Sequence, residues 1–160
     1  MATIAFGGDV VEAEDVNYPD SVVANNGDNA TGVVPTGTPA NGATICGAAF
    51  TAPRSGKVFV WAGGTVQPVT GGTGQMFLGP QVRAGATVGS GTVVFDPAGD
   101  PGCRFGSNVA QTMSGTAGTL VTGLTPGSVY NVVCTHFALV TTGSPTMSYF
   151  ARVAGAIPAM

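Results

Sequence analysis

Cys134 and His136 stand two residues apart in GLTPGSVYNVVCTHFALV, residues 123–140, and His136 is the only histidine of the chain. A thiol beside an imidazole could be part of a metal site or a nucleophile with its base. Each chemistry asks for more than adjacency. A metal needs further ligands converging on it, and a nucleophilic cysteine needs a partly exposed thiol next to its base. In a strand, residues i and i+2 share a face. Tyr130, Val132, Cys134, His136 and Ala138 then point one way, while Val129, Asn131, Val133, Thr135, Phe137 and Leu139 point the other. Both sets are largely apolar, which describes a strand covered on each side. An opposite sheet is the expected cover on one side and a neighbouring subunit on the other. The pair therefore reads as packing, and Tyr130, Val132, Cys134, His136, Phe137 and Leu139 form a candidate core and trimer strand.

Other searches for chemistry return turns and strands. There is no GxSxG elbow, and "RSGKV" (residues 54–58) lacks the upstream glycine and the following Ser or Thr of a phosphate-binding loop. "GGTG" at residues 71–74 has no βαβ unit around it. Asp96 and Asp100 in "FDPAGDPG" could ligate calcium, yet Pro, Gly and Asp in that order spell a turn. Phe59 and Trp61 could make a platform for a sugar, but "KVFVWAGG" reads more simply as a core strand. The expectation is a non-enzymatic protein with no catalytic residue, no metal and no cofactor.

The elements that must carry these residues are strands. The chain has 22 Val and 20 Thr against 4 Leu, and 26 Gly with 11 Pro. Branching at the β carbon suits a pleated strand and crowds a helix. Candidate strands fall at about 44–52, 57–70, 75–83, 91–95, 108–114, 117–122, 128–141 and 146–154, divided by "APRSG", "GGTG", "DPAGDPG", "LTPGS" and "TTGSP". No spacing is long enough for a crossover helix. The fold class is all-β, an antiparallel β-sandwich or jelly roll.

Charge divides the chain. Residues 1–31 hold six of the eight acidic groups and no base, and residues 32–43, "GVVPTGTPANGA", read as an extended Pro/Gly linker. The domain proper spans residues 44–160. Within the acidic segment, residues 10–17 are the one helix candidate, stopped by Pro19. Charged residues make up only 8% of the whole, against about 25% in a typical soluble domain. A surface so poor in charge is expected to be covered by copies of itself or by a partner. The five scattered basic residues make no patch for nucleic acid. No apolar run reaches the roughly 18 residues of a membrane span, and the N-terminus does not read as a secretory signal. The three cysteines, odd in number and without a CxxC pair, read as buried thiols of a protein folded in a cytosol.

Two stretches resemble known proteins. "AFGGDVVEAEDVNYP" (residues 5–19) resembles the N-terminal element of many bacteriophage tail and virion proteins, with Glu12 where those proteins usually have threonine. Residues 50–66 and 121–158 are similar to the C-terminal β domain of virion and minor tail proteins of tailed phages that infect actinobacteria. That domain looks like a trimeric jelly roll of the tumour-necrosis-factor/C1q kind. "LTPGSVY" also resembles the corner of other sandwiches, with Tyr130 in the corner position.

The resemblance implies a homotrimeric virion protein assembled in the host cytoplasm and displayed on the particle surface. Val10, Val11, Asp15, Val16, Asn17 and Tyr18 would form an attachment arm on the major capsid protein lattice or on tail proteins. A capsid decoration or cement role is the leading expectation. The alternative is a minor tail or receptor-binding knob that contacts host-surface glycans.

Overall fold

The computed structural model describes residues 4–6, 9–11, 20–26, 29–34, 36–68, 72–100, 102, 104–108, 111–143 and 145–160. Thirteen strands appear in it: β1 (Ile4–Phe6), β2 (Asp9–Val11), β3 (Val22–Asn26), β4 (Ala30–Val33), β5 (Ala40–Asn41), β6 (Gly47–Thr51), β7 (Lys57–Pro68), β8 (Gly72–Ala84), β9 (Val93–Phe95), β10 (Phe105–Asn108), β11 (Met113–Val121), β12 (Val129–Gly143) and β13 (Met147–Ala159). Strands β1 and β2 form a small antiparallel hairpin of their own. The other eleven build two antiparallel sheets.

One sheet runs β11–β7–β13–β3, with β4 continuing the β3 edge beside β13. The other runs β10–β8–β12–β5, with β6 continuing the β5 edge beside β12 and β9 sharing the β10 edge beside β8. Counting β3 with β4, β5 with β6 and β9 with β10, the chain visits the sheets in the order of a jelly roll, two interlocked Greek keys. The expected all-β sandwich is what the chain forms.

The two sheets close on a shared core. Val58, Val60, Ala62 and Val66 of β7 and Ala154 and Ala156 of β13 meet Met76, Leu78 and Val82 of β8 and Tyr130, Val132 and Cys134 of β12, and all of them are buried. Alternation selects these residues: each strand turns every second side chain inward. The corner before β12 is fixed by Tyr130, whose hydroxyl accepts the Thr125 N–H at 3.0 Å.

Two irregularities have identifiable causes. Pro80 brings no amide hydrogen to β8, and it falls between the β10 ladder, which ends at Leu78, and the β9 ladder, which begins at Val82. The edge strand is therefore split in two. In β13 the register with β7 slips between Phe150 and Val153, Ala151 takes φ 47°, and Gly64 opposite takes φ 153°. This bulge shifts the inward parity from Met147 and Tyr149 to Arg152, Ala154 and Ala156.

The N-terminal third departs from the sequence reading. Val22–Asn26 pairs with β13, and Ala30–Val33 and Ala40–Asn41 also join the sheets. Residues expected to lie in the arm and linker are thus edge strands of the jelly roll. Their Pro and Gly content suits short interrupted edges, where a missing amide hydrogen costs no central ladder bond. Val10 and Val11, expected in a helix, lie in strand β2; Asp15, Val16, Asn17 and Tyr18 fall outside the described residues. The strand expected at 108–114 straddles the end of β10 and the start of β11, and 117–122 belongs to β11.

Candidate interaction face and buried cluster

Strand β12 is covered within one chain. Its inward side chains Tyr130, Val132, Cys134 and His136 lie in the sandwich core, while Phe137 on the outward face is fully buried and Leu139 is half-buried. The cover on the outward face comes from the chain's own loops. Residues 85–92, between β8 and β9, lie across it and are pinned by Asn131. The Asn131 side-chain amide donates to the carbonyls of Gly85 at 2.9 Å and Ser90 at 3.2 Å, and its oxygen accepts the Gly89 N–H at 3.0 Å. Thr135 donates its hydroxyl to the Gly79 carbonyl at 3.0 Å. At the other end Phe137 stacks on Phe77 at 5.6 Å, and the Arg104 guanidinium sits 4.9 Å over the Phe77 ring. Where the sequence suggested a neighbouring subunit as the second cover, the chain supplies its own.

The β11–β7–β13–β3 sheet presents the opposite picture. On its outer face Leu120, Phe59 and Ile157 stand in one cross-strand row, 49%, 42% and 45% exposed. The next row places Trp61 between Gly118 and Gly155, with Val23 beyond Gly155. Gly155 is needed for this packing, because a β carbon there would fall inside the indole. With Gly155 beneath it the indole lies along the sheet, and the Phe59 ring is 6.5 Å away, inclined 24°. Further along the same face the hydroxyls of Thr65 and Ser114 lie 2.7 Å apart.

Among the described strands of this sheet the charged side chains are Lys57, at the end of β7, and Arg152, which the bulge turns inward. "KVFVWAGG" is thus a core strand on one parity only. Val58, Val60 and Ala62 face the core, while Phe59 is exposed and Trp61 half-buried. The signal available in the sequence was that both aromatics share a parity, with glycines waiting in the flanking strands.

Inside the sandwich, the bulge delivers Arg152 into a small polar cluster. The guanidinium lies 4.6 Å over the Tyr149 ring and donates through Nη2 to the Thr44 carbonyl. Its Nε and Nη1 are buried without a hydrogen-bond partner among the described residues. His136 stacks on the same tyrosine at 5.2 Å, with Nδ1 likewise unpartnered. Burial, reinforced by the Arg152 charge, holds the imidazole below its ordinary pKa. Burial pushes the Cys134 thiol up to about 12 and the Cys46 thiol up as well, against the weaker opposing pull of Arg152. A thiol held protonated beside an imidazole held neutral is not an activated nucleophile. Among the described residues no three His, Cys, Asp or Glu side chains come together. Asp96 instead caps a short 3-10 turn, accepting the Ala98 N–H at 2.9 Å, and Asp100 accepts the Gly102 N–H at 2.9 Å.

Compared with known proteins, the chain matches no family model and no curated protein.

Proposed function

We propose that this chain is a non-enzymatic virion structural protein, a capsid decoration or cement protein that assembles as a homotrimer through the outer face of its β11–β7–β13–β3 sheet. The observation that carries the reading is the bare Leu120–Phe59–Ile157 row with Trp61 and Val23 beside it. A contiguous apolar patch on a monomer marks a surface that another molecule covers. A nearly uncharged face brings no like charges together when copies of it meet. Low overall charge, the jelly-roll fold and the resemblance to phage virion domains point the same way. The acidic segment ahead of β3 would then attach each copy to the major capsid lattice, and many weak attachments on one particle act together.

One observation favours a second reading, a minor tail or receptor-binding knob. The Phe59 and Trp61 rings, 6.5 Å apart and inclined 24° on the outer face, are suited to contact with the apolar face of a host-surface glycan.

The test is immunogold labelling of purified virions from the source of the chain, alongside a variant lacking residues 1–20. Label over the shell, lost on that truncation while the protein stays folded, is the expected result. Label on the tail favours the second reading, and absence from virions contradicts both.

A further inference from the structure

We infer that Cys46 and Cys134 are a cross-strand redox pair, which a small-molecule disulfide oxidises to an internal disulfide tying the edge strand β6 to the central strand β12. The pairing follows from register. Gly47 is the partner of Val133, so the next step out along β6 sets Cys46 opposite Cys134. The Cys134 N–H donates to the Cys46 carbonyl at 2.8 Å, which fixes the two backbones side by side. Both side chains point inward into one core cluster, and both thiols are free.

Opposed residues bonded in this way have α carbons about 5.5 Å apart, inside the roughly 4.4–6.8 Å that a disulfide spans. Their β carbons start at about 4.5–5.5 Å and must close to about 3.5–4.5 Å. The movement falls on Cys46. It lies just before the first residue of β6, and Ala43, Thr44 and Ile45 leading to it are exposed. In the reduced protein both thiols make long contacts to carbonyls of the facing sheet, Cys46 to Ala24 and Cys134 to Gly63, both at 3.7 Å. Little hydrogen bonding is therefore given up when the sulfurs join.

The chemistry balances as two thiol–disulfide exchanges. The Cys46 thiolate attacks oxidised glutathione, forming a mixed disulfide and releasing one glutathione thiolate. The Cys134 thiolate then attacks the Cys46 sulfur and expels the second. Two protein thiols are oxidised, one glutathione disulfide is reduced to two thiols, and the two protons lost by the protein thiols pass through solvent to the departing glutathione thiolates. Both thiols are buried, so the first step waits on local opening of residues 42–46. The reaction is slow in the native protein and faster in mild denaturant.

The experiment uses the full chain, reduced and desalted, then incubated with oxidised glutathione at pH 8 with and without low urea. Free thiols are alkylated under denaturing conditions, and the disulfide is mapped by peptide mass spectrometry. The expected product is a Cys46–Cys134 link with Cys103 alkylated. It should form several-fold faster in low urea and raise Tm by about 5–10 °C, as closing a long loop does. Three alkylated cysteines, with glutathione active on an unfolded control, would overturn the inference. So would a bond to Cys103, or a glutathione adduct on Cys46 that never resolves.

Discussion

The two sheets of this jelly roll are built from the same residue types and treat their outer faces in opposite ways. The β10–β8–β12–β5 sheet is roofed by its own loops. Asn131, Val133, Thr135 and Phe137, all outward, are fully buried under residues 85–92 or against Phe77. Among the described residues the β11–β7–β13–β3 sheet has no such roof over Phe59, Leu120, Ile157 and Val23, which are roughly half exposed. One face is covered by residues 85–92 and the Asn131 side chain that holds them, and the other leaves Phe59 exposed. On the proposed reading the roofed face holds the domain together and the bare face meets a second copy of the chain.

That comparison can be broken from the bare side first. Phe59→Asp places a charge at the centre of the Leu120–Phe59–Ile157 row, once per copy. Like charges brought together at an interface cost several kcal/mol. Sedimentation should show monomers, while Tm of the domain falls little because Phe59 is outside the core. Loss of folding instead would make the bare face part of the domain's own stability.

The roofed side should answer in the reverse sense. Asn131→Ala removes the three hydrogen bonds that pin residues 85–92, those to the Gly85 and Ser90 carbonyls and from the Gly89 N–H. A loss of about 2–4 kcal/mol is expected by chemical denaturation, with oligomeric mass unchanged, since each of the three hydrogen bonds contributes about 0.5–1.5 kcal/mol.

The smallest effect belongs to His136. Its pKa in the folded chain lies below the ordinary 6.5, chiefly through burial. The unfolded chain therefore binds the proton more readily. Stability is fully present above pH 6.5 and declines as pH falls below it, by up to about 1.4 kcal/mol for each unit of pKa depression. His136→Asn should flatten that slope between about pH 6.5 and 5 in denaturation midpoints.

Much of this was legible in the chain. Val, Thr, Gly and Pro usage gave the all-β class, and turn chemistry placed most strand breaks, because both signals are local. The alternation of Tyr130, Val132, Cys134 and His136 correctly placed them together on one face of β12. Four things were not legible. Strands β3, β4 and β5 hide in Gly- and Pro-rich sequence, since an edge strand takes its stability from the neighbour it pairs with. The roof over β12 depends on Asn131 reaching residues 85–92, a contact more than forty positions away in the chain. The buried Arg152 depends on a bulge that resets inward parity, and alternation counted without the bulge puts that residue in solvent. The outward parity of Phe59 and Trp61 is hidden too, because apolar residues in a Val-rich run suggest a core, and only the facing strands decide which parity goes inside.

The claim at the centre is that the bare sheet is covered by copies of the same chain. Light scattering on the purified protein, at dilute and concentrated loading, tests it most directly. The account expects the mass of a trimer at both loadings, converted to a monomer by Phe59→Asp. A wild-type monomer at both loadings would contradict it, and would leave the face to a ligand such as a host glycan.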